Sequence, residues 1–347
     1  MSEPIGLVVI GRNEGFQLRR CFKSTAGKFV TTVYVDSGST DGSCDLARLM
    51  GIEVVNLDMT QPFTAARARN AGINRLMQLQ PNLTFIHTLD GDVEMIDGWL
   101  ESAIDVMKQH PKAAVLSGLR IEKYPERSPY IRLCNIEWNK PDGYPACEGD
   151  AILRIEAFRK VGGFNEKLIA GEEPELCLRF WQAGYECLRN RVPMSLHDVG
   201  LLHFSQWWKR EMRTGHSYAE GAAMYGRIHY LRQSMGIWFW ALAVPLTGLT
   251  AAYWTYGLSI LLVLGMYCLL FYRAYKGIRA RAMNNGLARE YAFFNVLSKF
   301  PMLWGMIQFW IRRWTGKQTG IIEYRKPLAA ADGANLIGPS SSKGATS

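Results

Sequence analysis

From Ile237 to Phe271 the chain carries no charged side chain. No other stretch restricts the fold as strongly. It exceeds the ~20 residues that one helix needs to cross a hydrocarbon core, and is just long enough for two short crossings. Thr255-Tyr256-Gly257 offers a turn within it, and Pro245 a kink. Basic residues flank both ends, Arg227 and Arg232 before it and Arg273, Lys276, Arg279 and Arg281 after it. Positive flanks mark cytoplasmic loops, so both ends belong on one side and the number of crossings is even. The expectation is a transmembrane hairpin over 237–272. Tyr291 to Ile311 is nearly as apolar but contains Asn295, Ser298, Lys299, Pro301 and Gln308, with Arg312 and Arg313 directly after. A third crossing would strand those charges outside, so an interfacial or re-entrant helix is expected within a basic segment 273–327. Residues 328–347 are rich in Ala, Gly, Ser and Pro and are expected to be disordered.

Upstream, residues 205–236 are basic and aromatic, with Trp207, Trp208, Lys209, Arg210, Arg213 and Tyr218 among them. Such a mix suits an amphipathic linker on the membrane interface, where Arg213 and His216 meet head groups rather than a substrate phosphate. The net charge of +9 fits an anionic membrane surface, and no DNA- or RNA-binding motif accompanies it, so nucleic acid is not an expected partner. The seven cysteines form no CxxC pair, which excludes a zinc ribbon and points to a reducing compartment. Met1-Ser2-Glu3-Pro4 lacks the basic start and long apolar run of a signal peptide, so the N-terminal part is expected in the cytosol.

Residues 1–204 read as one α/β domain. Ile5–Gly11 is an apolar run without polar alternation, as in a central parallel strand buried on both faces. Strands follow at Thr31–Asp36, Ile52–Leu57, Thr84–His87 and Ala113–Ser117, with helical spacing between them. This alternation predicts a mostly parallel, doubly wound sheet. Three strands run out into polar loops, at Asn13-Glu14, at Asp36-Ser37 and at Asp90-Gly91-Asp92. Right-handed crossovers bring those ends to one edge, where open α/β sheets bind ligands. Two carboxylates one residue apart suit a hard divalent ion that shares phosphate oxygens, although Asp and Gly are also ordinary turn residues. There is no GxGxxG after the first strand and no GxxxxGK[ST], which disfavours a dinucleotide site and excludes a P-loop.

Val8-Val9-Ile10-Gly11-Arg12-Asn13-Glu14, Val35-Asp36-Ser37-Gly38-Ser39-Thr40-Asp41-Gly42, Ala68-Arg69-Asn70-Ala71-Gly72 and Asp90-Gly91-Asp92 resemble the successive nucleotide-sugar motifs of family 2 glycosyltransferases. Gly162-Gly163-Phe164-Asn165 and Gly171-Glu172-Glu173-Pro174-Glu175-Leu176 resemble that family's acceptor-side motifs, so the resemblance covers about residues 5 to 200. It implies a GT-A nucleotide-diphospho-sugar transferase fold, here with a C-terminal helical membrane region, of a membrane-anchored bacterial type. It also implies roles. Asn13, Glu14, Asp36 and Ser37 would line the nucleoside pocket, and Arg69 would lie near the base or diphosphate, if it is not simply a helix-surface arginine. Asp92, with Asp90 nearer the ribose, would meet a metal bridging the diphosphate.

Glu172-Glu173 matches the family's Glu-Asp pair, whose second member is the general base, which makes Glu173 the candidate base with an arm one methylene longer than usual. As first-turn residues these glutamates also suit a helix dipole. His197 would complete the metal site, with His203 a competitor, and an imidazole ligand favours Mn2+ over Mg2+. Asp150 would hold a sugar hydroxyl. Trp138 and Tyr144 would border the acceptor, unless the tryptophan is core packing. The implied activity is inverting, metal-dependent transfer of a sugar from a UDP- or GDP-type donor to a hydroxyl of a membrane lipid, a lipid-linked glycan or a polysaccharide, as in cell-envelope biosynthesis. The enzyme would be a multi-pass protein of the plasma (inner) membrane with a cytoplasmic catalytic domain. A processive polysaccharide synthase subunit, or a non-catalytic membrane scaffold of the same fold, are the alternatives.

Overall fold

A computed structural model describes residues 3–139, 147–226, 228–281 and 283–316. Tyr144 and the 328–347 tail fall outside them. Strands β1 (Ile5–Gly11), β2 (Thr31–Asp36), β3 (Glu53–Asn56) and β4 (Phe85–Asp90) are parallel neighbours in the order β3-β2-β1-β4. They are joined through α1 (Phe16–Thr25), α2 (Ser43–Leu49) and α3 (Ala65–Leu79). The pleat of β1 sends alternate side chains to two cores. Val8 and Ile10 meet Ile73 and Leu76 of α3, while Leu7 and Val9 join Leu18, Phe22 and Trp99 on the other face. Burial on both faces is why this strand reads as a continuous apolar run.

Past β4 the sheet changes character. Here β5 (Val93–Met95), α4 (Trp99–Gln109), β6 (Ala113–Glu122), α5 (Pro129–Trp138), β7 (Ala151–Arg154), α6 (Ile155–Lys160), α7 (Glu172–Gln182) and β8 (Glu186–His197) complete the domain. β7 runs antiparallel to both β4 and β6, β8 is parallel to β6, and β5 is antiparallel to β8. The sheet is parallel through β4 and mixed beyond it, ordered β3-β2-β1-β4-β7-β6-β8-β5 among the described residues. The difference has a local cause. β5 and β7 span only 3 and 4 residues, too few for a periodic signal. β8 contains Pro193 and pairs with β6 through register shifts, which breaks its alternation.

Registry fixes where the site forms. Gly11 pairs with Asp36 and Ile10 with Asp90, so the loops after β1, β2 and β4 leave the sheet side by side. Gly72 allows α3 to lie directly on this edge, since a Cβ there would press into Val8 and Val35.

The C-terminal helices form a second body against the cleft side of the domain. α8 (Phe204–Tyr225) is followed by α9 (Ile228–Trp238), which continues through a π-helical turn at Phe239–Ala243 into α10 (Val244–Ala251). The π turn directly precedes Pro245, which has no N–H to give the helix ladder. Tyr256 and Gly257, both at positive φ, close the turn to α11 (Leu258–Arg279); α12 (Asn285–Leu297) and α13 (Lys299–Thr315) follow. Two stretches, Tyr230–Ala251 and Leu258–Arg279, are long and apolar enough to cross a membrane, with mean hydropathies of 1.3 and 1.7. The region expected as an interface linker is a helix that packs along α13. A Cβ at Gly215 would run into the Met302 backbone, and one at Gly305 into the Met212 carbonyl.

The close crossing gives a direct test. Gly305→Val should lower unfolding stability by about 1–3 kcal/mol through overpacking, read as a fall in Tm. Gly277→Ala, a helical position where an added Cβ meets nothing within 4 Å, should be neutral or stabilising. Equal behaviour of the two variants would contradict this packing.

Candidate active site

The loops at the sheet edge are braced by their own polar residues. Asp36 is almost fully buried and accepts from the backbone N–H of Gly38 (2.9 Å) and Ser39 (2.8 Å) and from the Tyr34 hydroxyl (3.0 Å). Its carboxylate therefore shapes the loop, and Ser37 beside it lines the cleft. Asn13, at a φ of 56°, accepts from the Thr40 N–H at 2.7 Å and binds the first loop to the second. Glu14 lines the cleft next to it, its Cγ lying over Gly11 and Gly91.

Asp92 and His197 meet across the sheet, because β5 carries Val93 into register with His197 on β8. His197 Nε2 lies 3.0 Å from Asp92 Oδ2, and its Nδ1 lies 2.5 Å from Glu122 Oε1 at the end of β6. Burial and Arg120 oppose charge on this imidazole. Asp92 and the hydrogen bonds to Asp92 and Glu122 outweigh them, so its pKa is held above the ordinary histidine range. Glu122 also accepts the Val199 N–H at 3.2 Å. Sequence alone does not single out Glu122: it is one glutamate at the end of a strand, and only the β6–β8 pairing brings it to His197.

Arg69 projects from α3 into the acidic cluster. Its Nη1 donates to Glu172 Oε1 (3.0 Å) and Glu173 Oε1 (2.9 Å), and its Nη2 to Asp90 Oδ1 (2.9 Å). The second oxygen of Asp90 is 3.4 Å from Arg120. Burial would raise the Asp90 pKa, but Arg69 and Arg120 together hold it below the usual carboxylate range. Glu172 and Glu173 open α7, after Gly171 in the left-handed conformation. Glu172 is buried, whereas Glu173 keeps 18% of its side chain exposed to the cleft. Burial, and next the Glu172 charge, push Glu173 up to about 7 in spite of Arg69.

Asp150 differs from its expected place. It is fully buried behind the cleft, where it accepts from the Asp90 N–H at 3.1 Å and the Ser195 hydroxyl at 3.2 Å and pairs with Arg120 at 3.4 Å. Burial pushes its pKa up to about 6. It props the Asp90 loop rather than facing a sugar. Trp138 lines the cleft, with the Arg120 guanidinium 3.9 Å from its ring centroid and the His197 ring at 4.8 Å. His203 is the N-cap of α8, where its backbone N–H donates to Gln206 Oε1 at 2.9 Å. His216 is fully buried against Phe309 of α13, and Arg213 lines the cleft.

All of this surrounds one cleft of about 1190 Å³, which runs from Asn13 and Asp92 past Glu173 to Gln233 and Ile237 of α9 and Met302 of α13. Residues 7–152 match the family model described as "Glycosyl transferase family 2". They form a family 2 glycosyltransferase domain. Over 209 residues the chain is 25% identical to the pre-mycofactocin glycosyltransferase of Mycobacterium tuberculosis, covering 56% of this chain and 42% of that protein. It is 30% identical over 160 residues to a TPR repeat-containing protein of Synechococcus elongatus, covering 44% and 37%. The chain thus spans less than half the length of either curated relative. A mannosyltransferase of Pyrobaculum calidifontis superposes with a TM-score of 0.56 over 89% of this chain and 88% of its own, at 13% identity, which makes the fold GT-A. The glycosyltransferase domain ends its matched span at β7, so Glu173 and His197 lie beyond it.

Glu122→Gln removes one of the two carboxylates that flank His197. The His197 imidazole should then titrate at lower pH, nearer the ordinary ~6.5, in an NMR titration. An unchanged His197 titration would show that the Glu122 contact does not form in solution.

Proposed function

We propose that the chain is an inverting, metal-dependent glycosyltransferase that moves a sugar from a nucleotide-diphosphate donor to a hydroxyl acceptor presented at a membrane. The observation that carries this reading is that Glu173, a carboxylate raised to about 7 by burial and by Glu172, opens into the same cleft as Asp92 and His197.

A divalent cation fits the chemistry of the site. Six carboxylates, Asp90, Asp92, Glu122, Asp150, Glu172 and Glu173, gather around Arg69, Arg120 and His197 in the described ion pairs, so the site offers a cation hard oxygen donors. Among the described residues no group of three or more His, Cys, Asp or Glu side chains is arranged to hold a metal alone. Asp92, and His197 once the ion displaces its Nε2 proton, would therefore hold the ion together with donor phosphate oxygens, the sharing that Mg2+ and Mn2+ accept. The imidazole favours Mn2+, and the P. calidifontis mannosyltransferase of the same fold was solved with GDP-Man and Mn2+. Once bound, the ion would offset the charge that develops on the leaving diphosphate. Asn13, Glu14 and Ser37 line the nucleoside end. Glu173 takes the proton of the acceptor hydroxyl as its oxygen attacks the anomeric carbon. One displacement inverts that carbon, and the nucleoside diphosphate leaves with the bonding electrons.

The far end of the cleft supports a membrane acceptor. It is lined by Gln233 and Ile237, which belong to the first stretch capable of crossing a membrane, and by Phe294, Lys299 and Met302 of the neighbouring helices. We place the two apolar stretches in the plasma membrane as a hairpin with both basic ends on the catalytic side, so that a lipid-linked acceptor enters from the bilayer. Two candidate spans among the described residues are few for the translocation channel of a processive synthase.

A panel of nucleotide sugars with Mn2+, read by thermal stabilisation, should find one donor that stabilises the wild type, and Asp92→Ala should abolish the effect. Glu173→Gln should keep donor stabilisation and lose transfer by roughly 10²–10⁴-fold. Because the base must be ionised and its pKa is raised, transfer should fall with unit slope as pH drops through about 7. If no donor stabilises the protein, or Glu173→Gln transfers normally, the reading fails.

A further inference from the structure

We propose that Arg69 is a positioning residue, whose guanidinium ties the donor-side carboxylate Asp90 to the base Glu173 and does not ligate the diphosphate. This rests on the transferase reading above. Arg69 is 3% exposed at its side chain, and its two terminal nitrogens already bond three carboxylates at 2.9–3.0 Å. Its Nε is buried without a hydrogen-bond partner, so the fork is held only by its outer edge. On one side the Phe164 ring lies 5.6 Å from the guanidinium carbon. On the other, Gly149 is what leaves room for Nη2, since a Cβ there would collide with it.

The partners come from two places that no other ion pair among the described residues joins directly. Asp90 ends β4, and Glu172 and Glu173 open α7, more than eighty residues later. A planar fork with several fixed donors can span both at once, which the single point charge of lysine cannot. One consequence is orientational. Arg69 occupies Glu173 Oε1, which leaves Oε2 as the oxygen free of this bond to meet an acceptor proton. The other is electrostatic. Glu173 is faced by Arg69, Glu172, Asp90 and the Cys147 thiol, and Arg69 is the cation among them. Holding Asp90 and Glu173 on one guanidinium also makes the donor loop and the base move as a unit.

The test uses the full-length protein, with a nucleoside diphosphate plus Mn2+ as the binding probe and the wild type's own donor for transfer. In Arg69→Gln the probe's affinity should stay within about threefold while kcat falls on the order of 10²-fold. The acid limb of its kcat profile should move to higher pH, and Arg69→Lys should recover only part of the loss. Gly149→Ala, which displaces the guanidinium without removing any charge, should show the same split between affinity and kcat. If Arg69→Gln does not fold, Arg69→Lys, which keeps the charge but not the fork, decides by the same split between affinity and kcat. Affinity falling as far as kcat would make Arg69 a donor ligand and overturn the proposal, and so would an unchanged kcat. A wild type that binds no nucleotide would instead sink the transferase reading, and this proposal with it.

Discussion

The structure depends on the balance of buried charge at one edge of its sheet. Six carboxylates crowd the ends of β4, β6 and β7 and the start of α7, and two arginines and a histidine hold them. Leaving such charges unpaired in a partly desolvated site would be costly, so each cation is placed by a fixed element: Arg69 by α3, Arg120 by β6, His197 by β8. The helices and strands around the cleft are scaffolding for this arrangement. Beside this cluster lies an open cavity lined by both carboxylates and arginines, Arg12, Arg189 and Arg213 among them.

A second constraint shapes the other wall. α8 crosses α13 at glycines, and Ser217 of α8 donates to the Ala170 carbonyl just before α7 at 3.1 Å. Glu175 of α7 in turn accepts from the Tyr225 hydroxyl near the end of α8 and pairs with Arg179 at 2.6 Å. The helix leading to the apolar stretches is therefore bonded to the loop that presents Glu173.

The first half of the sheet was legible from its residues. Buried parallel strands give apolar runs, and the carboxylates at their ends announce a ligand edge. Legibility declined where pairing turned antiparallel, because β5 and β7 are too short for a pattern and β8 is interrupted by Pro193. Glu122 and Arg120 were hidden for the same reason: they matter only because β6 extends five residues past the expected Ser117 to meet β8. Asp150 shows the opposite limit. Its place in the sequence between Asp92 and Glu173 suggests a sugar ligand, and only the structure shows it buried with its carboxylate on the Asp90 N–H. Asp36 and Arg69 teach the same lesson, since a motif marks a position but not the partner that its side chain will choose.

The most direct test is a crystal structure with a nucleoside diphosphate and Mn2+, with the ion located by its anomalous scattering. The account predicts manganese between the diphosphate and the Asp92–His197 pair, with the Glu173 carboxylate facing the vacant sugar side of the same cleft. Manganese bound away from both Asp92 and His197, or a nucleotide outside this cleft, would contradict it.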